Sequence, residues 1–167
     1  MFQNDFERLM MPEAPRLLRF ARRLTCDIPG AEDLVQETLL KAWRSFRQFR
    51  EGTSPRAWLY RILVNSFYED GRKARVVPVS LDDRIPAGAN STAIERLEMN
   101  QALDSLPLEH RTVLLLGVVE GFTCREMSEI LSVPIGTVMS RMSRARQSLR
   151  EKLSRGLAAA QGQRDIR

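Results

Sequence analysis

Thr137, Ser140, Arg141 and Arg144 recur at spacings that place them together on one helix face, opposite a stripe of Ile135, Val138, Met142, Ala145 and Leu149. Arginine pairs bidentately with guanine or with phosphate, and Thr and Ser hydroxyls donate to phosphates near a helix N-terminus, so the set suits nucleic acid. The surrounding segment is strongly basic: Pro134 to Arg155 holds Arg141, Arg144, Arg146, Arg150, Lys152 and Arg155 against one acid, Glu151. A solvated basic face is the plainer explanation of the same residues. A second set lies earlier, where Trp58, Tyr60, Phe67 and Tyr68 interleave with Arg61, Arg72, Lys73 and Arg75. Single-stranded bases stack on rings while their phosphates seek positive charge. Helical spacing assigns Trp58, Leu59, Ile62, Leu63 and Phe67 to a core and leaves Arg61, Asn65 and Tyr68 as candidates for base contact.

Catalysis finds no such foothold. The chain shows no glycine-rich phosphate loop, no metal-ligand cluster and no nucleophile with a plausible base, so neither an enzyme nor a cofactor is expected, and no small-molecule substrate. The single histidine, His110, follows Pro-Leu-Glu and is expected on an exposed first helical turn. Cys26 and Cys124 stand far apart without a Cys-x-x-Cys pattern, which reads as two free thiols, buried or half-buried. A formal net charge of +5 favours an anionic partner. The opening residues show no signal-peptide pattern, and the longest apolar run, Val113 to Val119, is too short to cross a bilayer. A reduced, cytoplasmic protein that is not itself a membrane protein is the expectation.

The elements that would position these residues are all helical. Leu17, Phe20, Ala21 and Leu24 align on one face of a first helix that starts near Pro15 and is broken by Asp27-Ile28-Pro29-Gly30. A second, from about Ala31 to Phe46, carries Val35, Leu39, Ala42, Trp43 and Phe46 on one side and Asp33, Gln36, Glu37, Lys41 and Arg44 on the other. The loop composition of Arg50 to Pro55 precedes a third helix near Arg56. Periodicity is lost from Val76 to Ala93, which reads as a flexible linker, and resumes at Ile94. Leu97, Leu103 and Leu106 lead to Pro107, and the apolar run Val113 to Val119 must be central to a small bundle. Gly121 ends it, Thr123 and Glu126 have capping-box spacing, and Met127, Ile130 and Leu131 form the buried face of the next helix. Pro134 suits the first turn of the last one. Two short helices around so tight a turn, the second basic, form a helix-turn-helix pattern, with an ordinary helical hairpin as the alternative. The expected architecture is all-α: two small helical domains, 1–75 and 94–155, joined by the linker 76–93 and followed by an unstructured tail, 156–167.

Two blocks resemble the extracytoplasmic-function sigma factors of the sigma-70 family. The first is Ala31 to Trp43 (AEDLVQETLLKAW) with Trp58 to Asn65 (WLYRILVN), similar to that family's polymerase-binding and promoter-melting domain. The second is Ile130 to Arg146 (ILSVPIGTVMSRMSRAR), similar to the domain that reads the upstream promoter element. With their flanks the blocks cover most of residues 10–153. The resemblance implies a factor that binds core RNA polymerase, through its beta-prime and beta subunits, and directs it to promoter DNA. Asp33, Gln36, Glu37 and Lys41 would grip the beta-prime clamp helices. Arg61, Asn65 and Tyr68, with the loop Arg50 to Arg56, would capture bases flipped from the downstream element, Asn65 matching the family's base-pocket asparagine. Thr137, Met139, Ser140, Arg141 and Arg144 would serve the upstream element, and an anti-sigma factor would hold the protein inactive. The chain departs from the family's pattern at Met139, usually Lys or Arg, at Ser132, commonly glycine, and at Ser128, commonly alanine.

Two other classes remain open at this level. A dimeric helix-turn-helix regulator independent of polymerase accounts for the second half alone. An RNA-binding or scaffolding helical protein would show no promoter preference.

Overall fold

The structure, a computed structural model, describes residues 2–50, 52–71 and 93–162, with the side chains of residues 2, 3, 93–98 and 156–162 excepted. Its described residues are helical and contain no strand: α1 (Phe2–Met10), α2 (Ala14–Thr25), α3 (Ile28–Ser45), α4 (Pro55–Gly71), α5 (Ala93–Asp104), α6 (Leu108–Leu114), α7 (Cys124–Leu131) and α8 (Ile135–Gly162). The linker expected at 76–93 falls almost wholly outside the described residues.

The first domain is built on α2, whose Leu17, Phe20, Ala21 and Leu24 are all fully buried, as their spacing predicts. Cys26 ends α2 in the left-handed conformation (φ 62), and Asp27 opens α3 by accepting from the Gly30 amide at 2.7 Å. Pro29 therefore belongs to the first turn of α3, which starts at Ile28, three residues ahead of Ala31 where the pattern set it. A helix before Pro15 was not expected either; α1 sends Phe6 and Met10 into the core. Phe6 meets Trp43 and Phe46 edge-on, at 5.1 and 5.2 Å between ring centroids. Trp43 is nevertheless 38% exposed, because it lies at the margin of the α3 stripe, beside Phe6 of α1.

In the second domain the apolar run is buried from Val113 through Leu116 and then emerges: Val118 and Val119 are exposed. The change coincides with a π-helical turn over Leu115–Val119, which carries the chain beyond the core before Gly121 (φ 73) reverses it. Thr123 and Glu126 form the reciprocal capping box of α7. The Thr123 backbone amide, and then its hydroxyl, hold the Glu126 carboxyl below the usual carboxylate range. Pro134 lies just before α8, its carbonyl accepting from the Thr137 and Val138 amides. Val138, Met142 and Ala145 are buried, but Ile135, expected in that stripe, is exposed because α8 meets the core only from its second turn. The helix runs on to Gly162, beyond the domain end expected at Arg155, through a stretch of Glu, Lys, Leu, Arg and Ala that favours helix. Residues 163–167 of the expected tail lie outside the described residues.

The turn between α7 and α8 rests on Ser132, at φ 53. A side chain in the left-handed region is strained, and glycine is not. Ser132→Gly is expected to raise stability by roughly 0.5–1 kcal/mol, the left-handed strain relieved less the added chain entropy of glycine, read as a higher urea midpoint with unchanged slope.

Candidate nucleic-acid and polymerase interfaces

α3 separates its faces cleanly. Ala31, Leu34, Val35, Thr38 and Ala42 are buried against α2 and α4, leaving Asp33 and Gln36 exposed and Glu37 half-buried. Lys41 is half-buried like Glu37, its i,i+4 neighbour on that face, and it also reaches across to α4. Its Nζ lies 2.8 Å from Glu37, 2.9 Å from Ser66 Oγ and 3.3 Å from Glu69, so it ties α3 to α4. The Glu37 hydrogen bond, ahead of Glu69, pushes the Lys41 ammonium pKa up. Leu40, 55% exposed, also stands beside Asp33 and Glu37 on this face. Its spacing from Gln36 and Glu37 was visible in the sequence, but an apolar residue among polar ones is ordinarily assigned inward.

α4 buries Leu59, Tyr60, Leu63 and Val64 and turns Arg61 and Asn65 to solvent. Tyr68 is half-buried, and its hydroxyl donates to Thr112 Oγ1 of α6 at 3.1 Å. Burial raises the Tyr68 hydroxyl pKa, so it remains a neutral donor.

On α8 the candidate set divides. Ser140 and Arg144 are exposed, and Ser140 Oγ donates to the Thr137 carbonyl at 3.0 Å. Arg141 is half-buried and pairs within the second domain, its Nη2 3.0 Å from Glu109 of α6, and it lines a cleft of about 620 Å³ with Asn65 and Tyr68 of α4. Met139 lies elsewhere, in a groove of about 610 Å³ with Met127, Met142, Arg146 and Arg150. The structure thus unites Asn65, Tyr68 and Arg141, which the sequence assigned to two different promoter elements, and sets Met139 apart from them.

Glu120, Arg56 and Tyr60 were missed as a site. Arg56 Nη2 is 2.9 Å from Glu120 Oε2, and the Tyr60 hydroxyl donates to the same oxygen at 2.7 Å. Burial, then the hydrogen bond to Glu120, drives the Tyr60 pKa far above its ordinary value, so the hydroxyl keeps its proton. Partners 64 residues apart leave no local signal in a sequence. His110 is half-buried, where an exposed position was expected, and Cys26 and Cys124 are free thiols.

Residues 9–76 match the family of sigma-70 region 2, and residues 96–149 that of sigma-70 region 4. A helical region 2 followed by a helix-turn-helix region 4 defines a protein of the sigma-70 type. The ECF RNA polymerase sigma factor EcfG of Rhodopseudomonas palustris is 36% identical over 145 residues, spanning 84% of this chain and 80% of its own. SigE of Mycolicibacterium smegmatis, also an ECF sigma factor, is 38% identical over 161 residues; the match covers 90% of this chain but 62% of SigE. The sigma factor RpoE of Bartonella quintana, solved with the anti-sigma factor NepR, superposes with a TM-score of 0.77 at 34% identity, covering 90% of this chain and 97% of that one. CnrH, solved with the cytosolic domain of CnrY, gives 0.70 at 25% identity, covering 91% and 89%. This chain belongs to the ECF RNA polymerase sigma factors.

Proposed function

We propose that the chain binds core RNA polymerase through the outward face of α3, brings it to promoters through α8, and holds a melted strand through α4. The observation that carries this reading is the division of exposed groups. Asp33, Gln36 and Leu40 are presented by one helix, Arg61 and Asn65 by a second, and Ser140 and Arg144 by the last, each backed by a buried face. Base capture supplies melting without ATP, because contacts to extruded bases offset the few kcal/mol of unstacking. No helix among the described residues is long and apolar enough to cross a membrane, and a cytoplasmic site of action fits this role.

Control by an anti-sigma factor belongs to the same proposal. RpoE and CnrH, the two similar structures above, were solved with NepR and the cytosolic domain of CnrY. Here Met11, Leu40 and Trp43 on the first domain, with Val118, Val119 and Met139 on the second, leave apolar surface for such a partner.

Asn65 offers the sharpest test of the melting role, because its amide both donates to and accepts from a base edge. Asn65→Ala is expected to lower open-complex formation far more than holoenzyme binding to closed duplex, with a premelted template recovering most activity. Permanganate footprints of normal rate and extent in the variant would remove Asn65 from base capture. Transcription that proceeds only when core polymerase and this chain are both present separates the proposal from a polymerase-independent regulator.

A further inference from the structure

The first two turns of α8 carry two apolar side chains that the core does not take. Ile135 is 47% exposed and Met139 58%, one helical turn apart, while Val138, Met142 and Ala145 already supply the buried stripe. Gly136, Ser140, Ser143 and Arg144, all exposed, continue the surface outward from Met139. Gly136 answers no need of the fold, since a Cβ there would find open space. Its bare backbone leaves this end of the helix free for close approach. The edge that begins with Ile135 and Met139 then changes character along the helix. Met139, Ser143, Arg146 and Arg150 line one side of α8, and both arginines are exposed. An apolar start followed by a cationic stretch fits a helix that enters the major groove by its N-terminal turns, because base edges lie within the groove and phosphates line its rim.

The chemistry of the groove restricts what Met139 can meet there. Every base pair presents donors and acceptors, and the 5-methyl group of thymine is the apolar exception. A thioether donates nothing and accepts weakly, so against guanine O6 and N7 Met139 would strip water from acceptors without replacing it. Against a thymine methyl both surfaces leave water favourably, and the unbranched side chain can follow the position of the methyl. Arginine or lysine at the same place would favour guanine.

We propose that Met139, with Ile135 one turn before it, packs on thymine 5-methyl groups, so that the upstream element of this factor carries thymine where Met139 enters. The inference rests on the reading of α8 as the helix that contacts promoters.

Holoenzyme, the full chain on core polymerase, would first select promoters from duplexes randomised across the upstream element. Each thymine of the selected element, on either strand, would then be replaced singly by uracil, which lacks only the methyl group, and affinity measured by competition. Wild type is expected to lose about fourfold at the thymine facing Met139, the factor for one buried methyl group. Met139→Ala is expected to bind the thymine promoter about as weakly as wild type binds the uracil one, with no further loss when uracil is placed there. Met139→Arg, selected afresh, is expected to exchange that thymine for guanine. Because Met139 is exposed, both variants are expected to keep native helicity and thermal midpoint. Uracil tolerated by wild type at every thymine, or an unchanged set of uracil penalties in Met139→Ala, overturns the methyl contact and leaves this apolar edge to a protein partner. A wild-type holoenzyme that selects no upstream element at all overturns the reading of α8 itself, and the methyl contact with it.

Discussion

Reversing both Asp33 and Glu37 to lysine is expected to weaken binding of core polymerase by roughly two orders of magnitude, since like charges opposed across an interface cost several kcal/mol. Asp33 is exposed on α3, and Glu37 is half-buried beside it, so neither supports the core of the domain. Glu37 has a second duty, however, as the partner of Lys41 at 2.8 Å, and its reversal sets two cations together. Glu69→Lys supplies the control, because it disturbs the same ammonium from α4 without altering the α3 face. Fluorescence titration with labelled core polymerase should show the large loss for the double reversal and at most a two- to threefold change for Glu69→Lys, within the usual worth of an exposed ion pair. Equal losses in the two variants would mean that the Lys41 network, and not the outward face, governs the effect. Undiminished affinity in the double variant would remove this face from the polymerase site.

Phe20→Ala is expected to cost about 3–5 kcal/mol, a large part of the roughly 5–15 kcal/mol that holds a domain together. The ring is fully buried and packs edge-on against Tyr60 at 5.0 Å, and Tyr60 in turn carries Phe122 of the second domain. Truncation removes the support beneath the interdomain contact as well as the centre of the first core. Urea denaturation followed by circular dichroism should show the first domain unfolding at much lower denaturant, while Arg61→Ala, exposed on α4, should stay within about 0.5 kcal/mol of wild type. A loss below about 1 kcal/mol at Phe20 would contradict the packing described for this core.

Periodic apolar residues, caps and turn residues act over a few positions, and these the sequence determined. It settled the α2 stripe of Leu17, Phe20, Ala21 and Leu24, the capping box of Thr123 and Glu126, the reversal at Gly121 and the helix-turn-helix around Ser132. The two motif blocks settled the family, which the comparisons bear out. Where a stripe meets its edge, spacing loses its force: Trp43 and Ile135 share the period of buried neighbours yet are exposed, because burial depends on how far the opposing helix extends. Side-chain direction escaped for a related reason. Lys41 is on the polar side of α3 by spacing, but its long chain bends to Ser66 and Glu69 on another helix. Only the tertiary structure could bring Arg56 to Glu120, or Asn65 and Arg141 into one cleft, since the linear pattern carries no term for contacts between residues so distant along the chain. The sequence thus determined the elements and the chemistry each could offer, and the packing of one domain on the other decided which of those groups are presented and which are held.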